Sequence, residues 1–136
     1  MYLVARLLGM TEAPPGLRAH EASMRLDVSE LVGELRLLLG AKLVAYLGSV
    51  SETRTVRQWA DGERTPPTEV IRRLRLAYEV AVFLAERDSP GVVQAWFQGM
   101  NPQLGDQGPA SLMRENSSDD VGIRVLAAAR SFYGSG

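Results

Sequence analysis

From Val28 onward, apolar residues recur along the chain with the period of an α-helix. The positions that share one helical face are Val28, Leu31, Val32, Leu35, Leu38 and Leu39. We expect Gly40 to end this first helix, because glycine readily adopts the backbone conformation that closes a helix. Residues 41–47 predict a second, short helix that ends at Gly48.

A third helix is expected over about residues 52–60, with Ser51 placed to cap its first turn and Asp61-Gly62 to end it. The breaker Thr65-Pro66-Pro67 follows. Thr65 or Thr68 is then expected to cap the longest helix, at about residues 69–87. Apolar positions in that helix extend beyond a single stripe, which indicates burial on two sides.

The remaining segments are also helical in pattern. Ser89-Pro90 resembles an N-cap followed by a first-turn proline, and it opens a short helix that contains Trp96 and Phe97. After a loop over residues 99–109 and a short turn of helix around residues 111–113, a final helix runs from about residues 117–119 to near residue 133. No alternating strand pattern appears, so the predicted fold class is all-α.

The breaker composition divides the chain into three predicted parts. Residues 1–27 form an N-terminal extension with a proline-rich break at residues 12–16, and Met24 within it is a candidate internal start. Residues 28–67 form a helix-turn-helix bundle, and residues 68–136 form a small helical domain.

Composition excludes several classes of chemistry. The chain has no cysteine and one histidine, His20, so neither a disulfide framework nor a metal site is expected. We find no nucleophile elbow, phosphate loop or other catalytic motif, so no enzymatic role and no cofactor are expected. No apolar run reaches membrane-spanning length and residues 2–10 do not resemble a signal peptide, so we expect a cytoplasmic protein.

Charge is spread unevenly along the chain. Residues 36–75 contain eight basic and four acidic side chains, whereas residues 76–136 contain four basic and seven acidic ones. The middle of the chain is therefore the part suited to a polyanion such as DNA.

The third predicted helix is two-sided. At about 100° per residue, Val56, Trp59 and Ala60 share one side, and Arg54, Arg57, Gln58 and Asp61 share the opposite side. The candidate DNA-binding residues are Arg54, Thr55, Arg57 and Gln58. Guanidinium and amide groups are those that read guanine and adenine in the major groove. Alternatively, the segment is a small helical hairpin whose polar face is only solvated.

Residues 39–48 and 54–62 together resemble the helix-turn-helix of Xre-type regulators. The segment that joins them is about two residues longer than the usual tight turn. A longer turn would tilt the recognition helix, and some relatives of this type keep the module only as a scaffold.

Downstream of residue 65, the chain resembles the toxin-binding domain of the Xre/MbcA/ParS bacterial antitoxins. In that family, an N-x-x-L … P-x-x-L-L pattern precedes a final helix. The residues that stand in those places are Asn101, Leu104, Pro109, Leu112 and Met113, in a match that covers roughly residues 36–133. The resemblance implies a partner, a RES-domain toxin that consumes NAD⁺ and whose active-site entrance the antitoxin covers.

The resemblance and the aromatic chain end together give the candidate partner-binding residues Asn101, Leu104, Leu112, Arg114, Phe132 and Tyr133. Phe132 and Tyr133 either belong to the domain's own core or contact the partner. The chain end that carries them has no obvious role in the core, so we expect it to reach the toxin. The predicted function is a type II antitoxin that also represses its operon by binding operator DNA, as a homodimer or as a hetero-oligomer with the toxin. The alternative is a free-standing helix-turn-helix regulator with a helical dimerisation or ligand domain.

Overall fold

The structure, a computed structural model, describes residue 19, residues 26–116 and residues 118–134. Within these residues the chain forms α-helices and one turn of 3-10 helix, Pro102–Leu104, with no β-strand, so the all-α prediction is confirmed. The helices are α1 (Val28–Leu39), α2 (Ala41–Leu47), α3 (Thr53–Ala60), α4 (Thr68–Ala85), α5 (Pro90–Gln98), α6 (Pro109–Glu115) and α7 (Asp119–Phe132). His20, Met24 and Ser117 lie outside the described residues, as does nearly all of the predicted extension.

Side chains cap some helix starts and not others. Asp27 and Glu30 form a reciprocal capping box at the start of α1. Ser89 caps α5 as predicted. The predicted Ser51 cap is wrong, because Glu52 precedes α3 and makes no side-chain capping bond. The predicted threonine cap of α4 is also wrong: the helix begins at Thr68, directly after Pro67, with no side-chain cap.

One hydrophobic core extends through the whole described structure. Helix α1 lies at its centre and packs against α2, α3, α4 and α5. Helix α4 is buried on two sides, as its wide apolar face predicted. The amide of Gln94 in α5 donates a 3.3 Å hydrogen bond to the backbone carbonyl of Leu38 in α1. The predicted boundary at residues 67 and 68 is therefore crossed by shared packing.

The crossing of α2 and α3 is set by a tryptophan against a glycine. Val56 and Trp59 are buried while Arg54 and Arg57 are exposed, so the predicted helical phase of α3 is confirmed. The Trp59 ring lies so close to Gly48 that a β-carbon there would be 2.7 Å from Cζ3 and 2.9 Å from Cη2. Only glycine leaves room for the ring at this distance.

A buried arginine fixes the turn between α2 and α3. Arg73 of α4 is 7% exposed, and its Nη1 donates to the backbone carbonyl of Leu47 at 2.8 Å and to Oγ of Ser49 at 3.2 Å. The guanidinium therefore lies at the C-terminal end of α2, where the helix dipole favours a positive charge. Although Arg73 contributes to the basic count of residues 36–75, it is not part of the surface.

The chain end is anchored to the core through Tyr133. Its hydroxyl donates to Oδ2 of Asp88 at 2.7 Å, and its ring packs edge-on against Phe83 with 6.2 Å between centroids. Burial raises the pKa of the Tyr133 phenol, the hydrogen bond to Asp88 and the charge of that carboxylate raise it further, and the charge of Arg87 lowers it. The expectation that this residue has no role in the core is wrong, because the turn after α7 directs its ring back onto α4.

We expect Gly48→Ala to destabilise the fold by about 1–3 kcal/mol, because the added methyl group overlaps a buried ring. The matched control is Gly33→Ala in α1, where a β-carbon meets nothing within 4 Å. That control should be neutral or stabilising by up to about 1 kcal/mol. Chemical denaturation measures both, and adding Gly48→Ala to Trp59→Ala should cost nothing further. Equal stability of Gly48→Ala and Gly33→Ala would contradict the proposed contact.

We expect Tyr133→Phe to lower the free energy of unfolding by about 1 kcal/mol, since the ring remains but the bond to Asp88 is lost. Because the pKa of Tyr133 is raised in the folded chain, its contribution persists up to the ordinary tyrosine pKa of about 10 and declines above it. The difference between wild type and variant should therefore shrink as the pH rises past that value. Ile123→Ala, at an exposed position of α7, is the control and should stay within about 0.5 kcal/mol of wild type.

Candidate nucleic-acid interface and partner groove

The predicted DNA-binding residues of α3 differ in exposure. Arg54 and Arg57 are exposed, whereas Thr55 and Gln58 are half-buried. Residues 48–52 join α2 to α3. The exposed surface of α3 is therefore dominated by its two guanidinium groups.

The two arginines have different electrostatic surroundings. Nη1 of Arg57 lies 3.3 Å from a carboxylate oxygen of Asp61 and 3.5 Å from one of Glu63. All three side chains are about half exposed, so these pairs are weak but partly neutralise Arg57. Arg54 forms no ion pair within 4.0 Å with any other described residue. Arg54 is therefore the stronger candidate for contact with an anion.

Arg54 opens onto a depression of about 590 Å³, which we call the basic depression. It lies between α2, the start of α3 and the end of α6. The side chains that define it are Lys42, Tyr46, Ser51, Glu52, Arg54 and Arg114. The guanidinium carbon of Arg114 lies 4.5 Å from the centre of the Tyr46 ring, a cation–π geometry.

Three of the six predicted partner-binding residues are buried. Leu104 and Leu112 are 2% and 8% exposed and belong to the core. Asn101 is 9% exposed, and its Oδ1 accepts a 2.9 Å hydrogen bond from the backbone N–H of Gln103. Its backbone also pairs with Gln107, closing the loop before α6. These three residues shape the loop, and direct contact between their side chains and a partner stays a prediction.

The remaining predicted partner residues do not share one surface. Arg114 lines the basic depression, whereas Phe132 is 50% exposed beside a different opening of about 450 Å³. We call this opening the apolar groove. It lies between α5, the 3-10 turn and α7, and the side chains that define it are Val92, Trp96, Met100, Asn101, Ala128 and Phe132.

The apolar groove exposes apolar side chains around a buried tryptophan. Met100 is 81% exposed and Val92 37%. Trp96 is 7% exposed, and its indole Nε1 is buried with no hydrogen-bond partner among the described residues. A buried N–H group without an acceptor carries a desolvation cost.

Sequence reasoning missed several residues of the two surfaces. Lys42 and Tyr46 are not among the predicted binding residues, although both line the basic depression. The sequence did not indicate that Val92 is exposed, because its exposure depends on where α5 packs. The one usable clue was that Lys42 is the single lysine of the chain, at an exposed position of α2.

Of the two phenols with a raised pKa, Tyr133 contacts Phe132 at the apolar groove and Tyr78 lies in the core. Burial raises the pKa of the Tyr78 phenol, and the nearby Glu34 raises it further. Within the described part of the chain, no three histidine, cysteine or carboxylate side chains come together as a metal site would require. None of the helices in that part has both the length and the apolarity needed to cross a bilayer.

Comparisons of the chain with models of known protein families, with curated proteins and with solved structures find no match. The similarity to the Xre/MbcA/ParS antitoxins therefore stays a prediction from sequence motifs. The geometry offers two distinct binding surfaces, the basic depression beside α3 and the apolar groove beside the chain end.

Proposed function

We propose that this protein is a type II antitoxin that neutralises a RES-domain, NAD⁺-consuming toxin and represses its own operon through α3. The observation that carries the proposal is the apolar groove. It exposes Met100 and Phe132 next to the chain end, the part with which antitoxins of this type cover the toxin.

The groove has the composition of an interface centre. Aromatic residues and methionine are enriched where protein partners bury surface, and they supply most of the binding energy there. Phe132 and Met100 can be covered without disturbing the core, because each is at least half exposed in the free protein.

The two proposed activities use different elements. The groove is built by α5, the 3-10 turn and α7, whereas the proposed DNA contact comes from α3 and its neighbours. One molecule could therefore hold toxin and operator at the same time, as an autorepressing antitoxin must.

A free-standing regulator is the second candidate, because the same groove could pair two copies of the chain. Light scattering on the purified protein separates the two. A dimer that Phe132→Glu dissociates would favour the regulator, whereas a monomer that assembles only with the toxin favours the antitoxin.

We expect Phe132→Glu and Met100→Glu each to weaken toxin binding at least tenfold and to abolish growth rescue, because a charge would be buried against apolar surface. The assay is affinity capture of the protein that the adjacent gene encodes, which the proposal expects to be a RES-domain toxin, with NAD⁺ consumption as the second readout. Ile123→Glu is the matched control, since Ile123 is 68% exposed but lies on the opposite side of α7 from Phe132. Full protection by the groove variants would place the inhibitory surface elsewhere.

We expect Arg54→Ala to weaken operator binding by about 1–3 kcal/mol, if its guanidinium contacts a base. Arg57→Ala should have a smaller effect, because two carboxylates already pair with that side chain. An electrophoretic shift assay on the upstream promoter, repeated at rising salt, measures both. If the wild type gives no specific shift even at low salt, α3 does not bind DNA and has only a structural role.

A further inference from the structure

We infer that the basic depression binds a phosphate of the DNA backbone and that Arg114 belongs to the DNA surface rather than to the toxin surface. The inference rests on the proposed DNA-binding role of α3 and extends it. The DNA surface would then continue from the helix-turn-helix onto α6, in the part of the chain whose sequence resembles a toxin-binding domain.

Three cationic side chains from three helices meet at this depression. Lys42 comes from α2, Arg54 from α3 and Arg114 from α6, which packs against α2. The fold thus brings Arg54 and Arg114, which are 60 positions apart in the chain, to one depression. Their convergence makes a local concentration of positive charge that neither half of the chain could build alone.

The charge of this cluster is poorly compensated within the protein. None of the three cations has an ion pair within 4.0 Å among the described residues, in contrast to Arg57. Glu52 is the one acidic side chain among the lining residues, so the depression carries a net charge of plus two. Like charges held together in this way repel one another, and a bound anion relieves that repulsion.

Tyr46 restrains Arg114 in the position that the inference requires. The guanidinium lies over the Tyr46 ring, and both side chains line the depression. Stacking restricts the rotamers of a long, flexible side chain, which lowers the entropic cost of fixing it on a ligand. The planar guanidinium can then donate two parallel hydrogen bonds to a phosphate group.

The position of the depression favours a DNA backbone over an acidic segment of a protein. Backbone contacts flank the recognition helix of a helix-turn-helix and fix its register on the duplex. Arg54 lies both on the exposed side of α3 and in the depression, so a duplex that contacts α3 passes this site. Ser51 and Thr53 also line the depression and add hydroxyl donors.

The experiment is a fluorescence anisotropy titration of the full chain with a labelled duplex of the upstream promoter and with a scrambled duplex, at several salt concentrations. Arg114→Ala should weaken binding to both duplexes by a similar factor, about fivefold or more, and should reduce the slope of log affinity against log salt by about one. Tyr46→Leu should produce a smaller loss of the same kind. Arg124→Ala, an exposed arginine of α7 outside the depression, is the control and should bind as wild type does.

Thermal melting of each variant checks that a loss of affinity is not a loss of fold, and toxin capture is measured in parallel. If Arg114→Ala binds DNA as the wild type does while Arg54→Ala is weakened, the inference is wrong and the proposed function stands. If Arg114→Ala retains DNA binding but loses toxin capture, the residue belongs to the toxin surface. If the wild type binds neither duplex, the DNA part of the proposed function fails together with the inference.

Discussion

The packing of the Trp59 ring on Gly48 is the contact on which the crossing of α2 and α3 depends. The ring occupies the space that a β-carbon at Gly48 would fill, so α3 approaches the end of α2 as closely as the backbone allows. This contact determines which side of α3 is buried and therefore which side presents Arg54. Arg73 of α4 also holds the turn between α2 and α3, through its hydrogen bond to the backbone carbonyl of Leu47.

The basic depression and the apolar groove are built on one shared hydrophobic core. Helix α1 packs against four other helices, and Gln94 of α5 bonds to its last turn. The hydroxyl of Tyr133, after α7, donates a hydrogen bond to Asp88, which follows α4. A change in the core should therefore affect the basic depression and the apolar groove together, whereas the exposed residues of each surface can be altered separately.

The arginines differ in whether other protein groups already pair with their guanidinium. This difference distinguishes structural arginines from candidate ligand-binding ones. Arg73 donates to a backbone carbonyl and a hydroxyl oxygen, and Arg57 pairs with two carboxylates. Arg54 and Arg114 lack such compensation among the described residues, and Arg114 is instead positioned by an aromatic ring. Charge density along the sequence could not make this distinction, because it counts all four equally.

The sequence by itself determined the helices, since an apolar face needs only local periodicity, and it determined the buried side of α3 through the spacing of Val56 and Trp59. The helix ends at Gly40 and Gly48 were equally local. Tertiary structure alone decided that Tyr133 packs on α4 and that Arg114 stacks on Tyr46 at a depression that Lys42 also lines. Such contacts depend on how helices distant in sequence cross, and side-chain spacing within one helix carries no information about that crossing.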